Sequence, residues 1–122
     1  MSPRYVILEH TYQGVHFDLM LEVDGTLRTW RLGSPPESGQ SALAESSFAH
    51  RLLYLEYEGP ISGDRGQVRR WDHGTYAGDP HGETELVIEL TGQRLRGRLE
   101  LQRRTDGLWD LRYSAGASSE LN

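Results

Sequence analysis

The sequence contains neither cysteine nor lysine. Without cysteine, disulfides, thiolate metal sites and cysteine nucleophiles are excluded, which fits a reducing compartment. The 13 basic residues are all arginine, and 18 acidic residues outnumber them, so that the formal charge is −5. This balance argues against bulk electrostatic attraction to nucleic acid, although it leaves room for a local basic site.

Long apolar runs are also absent. No stretch is long enough to span a bilayer, and the first residues lack the pattern of a signal peptide. We therefore expect a cytoplasmic protein with no membrane partner. Gly-rich phosphate loops, a Gly-x-Ser-x-Gly elbow and a His-Glu-x-x-His helix are missing as well, which excludes the enzyme classes that these motifs mark.

What the chain does contain is a series of short strand-like segments separated by turn signals. The patterns predict eight strands, over 4–9, 15–23, 26–32, 52–57, 67–72, 83–90, 94–102 and 108–113. Residues 33–47, rich in Gly, Pro and Ser, are predicted to form a long loop with room for a helical turn over 42–46, and Asp72-His73-Gly74 is predicted to be a turn.

Eight short strands in 122 residues predict one all-β, mainly antiparallel domain. A barrel and a sandwich both satisfy this pattern, and we favour a single compact β-barrel because closure hides the strand edges. The domain is expected to span residues 1–113. The small, polar segment 114–122 is expected to be a flexible tail.

Polar side chains of an unusual kind occupy one face of the second predicted strand. His16 and Asp18 are two residues apart and therefore project to the same side. His10, at the end of the first strand, lies across a short connection from them. Two imidazoles and a carboxylate suit a divalent metal ion and leave positions open for water or substrate. A polar outer face with incidental histidines remains the alternative.

A second candidate pair lies in the middle of the chain. His50 precedes the predicted strand LLYLEY, and Tyr54 falls on one face of that strand. If this face borders the same concavity, the two side chains could contact an anion or donate a proton. The alternative is a surface histidine followed by a tyrosine of the barrel wall.

The pattern RYVILEH followed by VHFDLMLEVDGTLRTW resembles the start of the 3′-phosphoesterase domain of bacterial DNA ligase D. In that family a histidine ends the first strand, and a His-Tyr/Phe-Asp strand leads to an Asp-Gly hairpin and a returning tryptophan. Further matches follow in the same order, and the series covers about residues 4–104: they are His50–Tyr54, Tyr57–Gly59, Trp71–Tyr76 and Leu90–Gly97.

The resemblance implies a β-barrel with a metal site in a concave face and a manganese-favouring enzyme, with Zn²⁺ or Co²⁺ as other candidates. It implies removal of a terminal 3′-phosphate or 3′-ribonucleoside from DNA or RNA-tipped primers during DNA repair. Carried over by position, His10, His16 and Asp18 are the metal ligands, while His50 and Tyr54 contact the scissile phosphate. Any repair role would need ligase or polymerase activities from separate chains.

Two departures from the family pattern keep other functions open. Met20 stands where the family usually has arginine, and the segment after Trp30 lacks the family's lysine. Five arginines from neighbouring positions are candidates to replace those charges: Arg31, Arg51, Arg65, Arg69 and Arg70. The second hypothesis is a catalytically weakened accessory module that binds metal and nucleic-acid ends. The third is a non-haem iron oxygenase, because two histidines and a carboxylate also suit Fe(II).

Overall fold

The computed structural model describes residues 2–116, and most of this length is β-strand. The strands are β1 (Arg4–Thr11), β2 (Val15–Val23), β3 (Thr26–Leu32), β4 (Ser41–His50), β5 (Gly59–Pro60), β6 (Gln67–Ala77), β7 (Glu85–Gly92), β8 (Arg96–Arg103) and β9 (Trp109–Ala115). A 3₁₀ helix (Leu52–Leu55) follows β4. No helix of the described residues is long and apolar enough to cross a membrane.

Eight of these strands close into an antiparallel barrel. Their order around the sheet is β1-β2-β3-β4-β9-β8-β7-β6, and pairing of β1 with β6 completes the ring. The two residues of β5 pair alongside the start of β6. The predicted all-β barrel is thereby confirmed, and closure leaves the long strands without a free edge at the β1–β6 junction.

The barrel has one apolar core inside and a second one on its outer surface. The inner cluster draws residues from all eight long strands, including Ile7, Leu19 and Trp30. The outer cluster lies on β1, β2, β3 and β6 and is covered by the segment that runs from the 3₁₀ helix to Ile61. Its buried residues are Val6, Leu8, Met20, Leu27, Leu55 and Val68, and Tyr54, Tyr57 and Ile61 pack against them. The middle of β1 and of β2 is therefore buried on both faces.

Two predicted segments have a different secondary structure. The predicted loop over 33–47 contains most of β4, because the start of this strand, Ser41–Ala44, pairs with β9 and the remainder, from Ala44 to His50, pairs with β3. The predicted strand over 52–57 begins with the 3₁₀ helix instead, in which Leu55 is buried in the outer cluster while Leu52 and Leu53 are exposed. Tertiary pairing overrode weak local propensity in the first case, and in the second a short apolar run was mistaken for a strand.

Two further boundaries moved. The predicted turn at Asp72-His73-Gly74 lies inside β6, which continues because β1 and β7 pair with it on either side. β9 runs to Ala115, so the first two residues of the predicted tail still pair with β8. Residues 117–122 lie outside the described residues, and the expected flexibility of the tail stays a prediction there.

A buried carboxylate joins the barrel closure to the turn before β8. Asp72 is 1% exposed and accepts hydrogen bonds from the Tyr5 hydroxyl at 2.5 Å and from the backbone N–H groups of Arg94 and Leu95 at 2.8 and 3.1 Å. A Cβ atom at Gly92 would clash with the Tyr5 hydroxyl and the Asp72 carboxylate, so glycine is required at that position. The pKa of Tyr5 is raised, first by burial and then by the hydrogen bond to Asp72.

We expect Tyr5→Phe to lower the free energy of unfolding by about 1–3 kcal/mol, because a buried carboxylate loses a donor while the packing volume is kept. Urea unfolding followed by tryptophan fluorescence measures this loss. The matched control is Tyr76→Phe, whose hydroxyl donates to the Glu22 carbonyl at 2.6 Å in a part-buried position. A neutral hydrogen bond of this kind contributes about 0.5–1.5 kcal/mol. A loss in Tyr5→Phe no larger than in the control would contradict the role of Asp72.

Candidate metal centre and active site

Register between β1 and β2 brings the three predicted metal ligands together. His10 pairs with His16, and Leu8 pairs with Asp18, so all three polar side chains emerge on the outer face of neighbouring strands. One ligand atom from each side chain lies within 4.8 Å of the others. They form one rim of the surface that also carries the outer apolar cluster, and none of them points into the barrel.

The donor atoms have the spacing of a metal-binding set. His10 Nδ1 lies 3.2 Å from His16 Nε2, His16 Nε2 lies 3.2 Å from Asp18 Oδ2, and His10 Nδ1 lies 4.0 Å from that oxygen. Ligands held about 2.1 Å from a tetrahedral metal ion stand about 3.4 Å apart. The residues present therefore fit a divalent metal ion that is bound by two nitrogens and one oxygen.

A backbone carbonyl orients the first histidine of the set. His10 Nε2 donates to the Arg65 carbonyl at 2.8 Å, which leaves the lone pair of Nδ1 facing His16 and Asp18. An N–H that is fixed in this way selects the ligating tautomer of an imidazole. The loop that carries Arg65 is thus the support of the candidate metal centre.

Burial favours the neutral form of His16, and the neighbouring Asp18 lies close to an arginine. The pKa of His16 is lowered, chiefly by burial, with Arg31 and His10 adding to the effect and Asp18 opposing it. Neutral imidazole is the form that binds metal ions. The Asp18 carboxylate is only 6% exposed, and Arg31 Nε lies 3.9 Å from its Oδ1 atom, across the β2–β3 pair.

The second predicted pair is held beside this cluster by β4 and the 3₁₀ helix. His50 ends β4, and its Nδ1 lies 3.0 Å from the Thr29 hydroxyl. Its ring stacks on Phe48, with centroids 4.4 Å apart and planes 19° apart, and meets the edge of Tyr54 at 5.7 Å. Burial lowers the pKa of His50, the strongest opposing influence being the negative charge of Asp18.

One cavity of about 340 Å³ joins the two sets of residues. His10, Asp18, His50 and Tyr54 all line it, while His16 lines an adjoining depression together with Arg31. The structure therefore places all five sequence-predicted residues around one concave region. It lies outside the barrel, between the β1–β2 pair and the segment that covers the outer cluster.

A model of the DNA ligase D 3′-phosphoesterase domain matches residues 8–103. The chain belongs to this family. The multifunctional non-homologous end joining DNA repair protein LigD of Mycobacterium tuberculosis is 36% identical over 115 residues, covering 86% of this chain and 15% of the relative. The Pseudomonas aeruginosa protein of nearly the same name is 34% identical over 110 residues, covering 82% of this chain and 13% of the relative. The chain thus spans about one seventh of the length of these curated relatives.

The two departures from the family pattern have different surroundings in the structure. Met20 is 1% exposed and belongs to the outer apolar cluster, so the position does not carry a solvated charge. The segment after Trp30, which lacks the family's lysine, begins with Arg31 on the neighbouring strand. The Arg31 side chain is half exposed and borders both the cavity and the depression beside it.

The other candidate arginines divide into two groups. Arg51 and Arg65 line the cavity, as Arg31 does. Arg69 is engaged by Glu9 at 2.9 Å, and Arg70 Nη1 lies 3.4 Å from the Leu55 carbonyl. Three of the five arginines therefore contribute positive charge to the cavity, and two do not line it.

Sequence reasoning missed Phe48. This aromatic side chain is 73% exposed, lines the cavity and stacks on His50. A strand signal would have placed it two residues before His50 on the same element, but the Ser- and Ala-rich stretch around it does not look like a strand. Its position became visible only with the pairing of β4.

His81, which does not line the cavity, has an electrostatic environment opposite to that of His50. His81 lies between Asp79, at 2.9 Å from its Nδ1, and Asp24, at 3.0 Å from its Nε2. The hydrogen bonds to Asp79 and then to Asp24 raise its pKa. Its side chain is 57% exposed.

His50 and His81 should change the pH dependence of the free energy of unfolding in opposite directions. The pKa of His50 is lowered on folding, so the unfolded chain binds its proton more readily and stability falls as the pH drops below about 6.5. The pKa of His81 is raised, so its contribution is present below about pH 6.5 and is lost as the pH rises through the raised value.

We expect His50→Gln to flatten the acid loss of Tm and His81→Gln to steepen it. The measurement is Tm by circular dichroism between about pH 5 and 8, in EDTA so that metal binding does not contribute. Parallel pH profiles in the two variants would show that the opposed environments do not exist in solution.

Proposed function

We propose that this protein is a metal-dependent phosphoesterase that acts on 3′ ends of DNA or of RNA-tipped primers, removing a 3′-phosphate or a 3′-ribonucleoside in DNA repair. One observation carries the proposal: the cluster of His10, His16 and Asp18 borders the cavity that His50 and Tyr54 line, in a chain of the 3′-phosphoesterase family. Both curated relatives are named as non-homologous end joining proteins, and the Mycobacterium tuberculosis protein is named as a DNA repair protein. Repair proteins with ligase or polymerase activity are the proposed partners.

Mn²⁺ is the proposed metal, with Zn²⁺ or Co²⁺ as substitutes. His10 Nδ1, His16 Nε2 and Asp18 Oδ2 would hold it, because these three atoms already converge. Mixed nitrogen and oxygen donors suit divalent ions of this kind. A bound divalent ion supplies Lewis-acid polarisation of a phosphate oxygen and lowers the pKa of a water molecule.

His50 is proposed to bind the phosphate and to carry a proton. The Thr29 hydroxyl donates to the Leu27 carbonyl at 3.1 Å, so it accepts from the Nδ1–H group of His50 and leaves Nε2 for the substrate. A phosphate dianion next to the ring raises the pKa of His50 and so favours a proton on Nε2. Tyr54, whose ring stands nearly perpendicular to that of His50, supports that orientation.

In hydrolysis of a 3′-phosphate, water attacks phosphorus, the bond to the 3′ oxygen breaks, and the leaving oxygen takes a proton from His50 Nε2 to become a 3′-hydroxyl. The water oxygen and one of its protons remain on the released inorganic phosphate, and the other proton returns to His50 Nε2. Arg31, Arg51 and Arg65 line the cavity and would offset the negative charge that the substrate brings into it.

A catalytically weakened accessory module is the second candidate. The observation that favours it is Met20, which lies in the outer apolar cluster and carries no charge where the family usually has an arginine. Such a module would bind metal and nucleic-acid ends through the same residues. Phosphate release distinguishes the two candidates. Oxygen consumption with Fe(II) would identify the oxygenase alternative.

We expect phosphate release from a primer-template with a 3′-phosphate in the presence of Mn²⁺, and none with chelator. Release should fall by about two orders of magnitude or more in His10→Ala, because one of three ligands is lost. His81→Ala is the matched control, since this histidine is remote from the cavity. Calorimetric titration with Mn²⁺ should show weakened binding in His10→Ala only. No release from wild-type protein that binds Mn²⁺ would reject the enzyme and support the accessory module.

We expect Arg31→Gln to lower kcat/KM for the 3′-phosphate by about tenfold to a hundredfold, because a charge-assisted hydrogen bond is worth about 1.5–3 kcal/mol. Arg31→Lys should retain part of the rate. Affinity for Mn²⁺, measured by calorimetry, should change little, which separates substrate binding from support of Asp18. Arg69→Gln is the control, because Arg69 is paired with Glu9 on the surface. Loss of Mn²⁺ affinity in Arg31→Gln would show that Arg31 acts through the metal ligand instead.

A further inference from the structure

Phe48 is unusually exposed for an aromatic side chain. At 73% exposure it exceeds every other large apolar side chain in residues 2–116, the next being Leu43 at 51%. Leaving a phenyl ring in water forgoes the free energy that its burial would contribute. A ring in this position, at the rim of a cavity, would gain this free energy if a bound ligand covered it.

The ring is held in a defined orientation. Its plane lies 19° from that of His50 at a centroid distance of 4.4 Å, so one face is covered by the imidazole. His50 is in turn fixed by the Thr29 hydroxyl and by the edge of Tyr54. The opposite face of Phe48 is therefore presented to solvent as a flat surface.

The stack continues directly from the proposed phosphate site. Phe48 and His50 are two residues apart on β4, and both line the cavity that Asp18 and His10 border. Arg31, Arg51 and Arg65 line the same cavity, which favours an anionic ligand. A ligand with a phosphate and a flat ring matches both features, and a nucleotide has this chemistry.

We propose that Phe48 is a stacking platform for the nucleobase of the 3′-terminal nucleotide whose phosphate occupies the cavity. The proposal rests on the proposed function and deepens it. Inside a nucleic-acid strand both faces of a base are covered by neighbouring bases, whereas the terminal base has one free face. An aromatic platform beside a phosphate site therefore distinguishes an end from an internal position, and it does so for every base, since each has a π-face.

Binding of 5′-fluorescein-labelled oligonucleotides, followed by anisotropy with Mn²⁺ present so that the proposed metal site is filled, tests this. Two probes both end in a 3′-methylenephosphonate, in which carbon replaces the bridging 3′ oxygen and prevents turnover, and one carries an abasic terminal nucleotide. Phe48→Ala should weaken binding of the base-bearing probe by about tenfold to a hundredfold. The abasic probe should be affected far less. Phe48→Trp should keep the affinity of the wild type, because it retains a π-face.

Leu43→Ala is the matched control. Leu43 lies on the same strand, is 51% exposed and pairs with Asp110 of β9, away from the cavity. This variant should bind both probes as the wild type does. Because Phe48 is exposed, loss of its ring is not expected to unfold the protein, and thermal melting of each variant verifies this.

Equal weakening of both probes by Phe48→Ala, or no weakening, overturns the platform, and so does a wild-type protein that binds neither probe. A surface for a protein partner would then be the occupant to test. Phosphate release, measured in parallel with Mn²⁺, separates this result from the proposed function. Base-dependent binding without release would reject the enzyme and keep the platform. Release that is indifferent to Phe48 and to the terminal base would reject the platform and keep the enzyme.

Discussion

Pairing of β1 with both of its neighbours is the interaction on which the rest of the structure depends. Its bonds to β6 close the barrel, and its register with β2 sets His10 beside His16 and Leu8 beside Asp18. A slip of one residue would turn every side chain of the strand to the other face. His10 would then point into the barrel, and the apolar residues of β1 would exchange between the inner and outer clusters, so fold and site share one register.

Burial on the outer face is what turns three surface side chains into a site. The segment after β4 folds over β1 and β2 and packs Leu55, Tyr54 and Ile61 against Leu8 and Met20. This cover forms one wall of the cavity and brings the Arg65 carbonyl to His10. Without it, the histidines and the aspartate would lie on an open barrel wall, where water and mobile side chains compete for the same hydrogen bonds.

Local charge in the cavity differs from the charge of the whole chain. The chain carries a formal charge of −5, yet three arginines line the cavity beside Asp18. Arg31 reaches it from β3, whereas the β2 position, Met20, contributes to the apolar floor. A site of this kind attracts an anion over short distances, while the acidic exterior disfavours non-specific binding along nucleic acid.

The sequence by itself determined β2, β3 and the course of β1, because alternation and the tight turn that Asp24-Gly25 favours are local signals. The two-residue period of β2 singled out His16 and Asp18, and the position of His10 near the end of the first strand placed it across a short connection from them. Only the tertiary structure decided that Ser41–His50 is a strand, that Leu52–Leu55 is helical, and that Phe48 borders the cavity. These features depend on partners far away in the chain. A Ser- and Ala-rich segment becomes a strand because β3 and β9 form backbone hydrogen bonds with it, and the local sequence pattern does not indicate those partners.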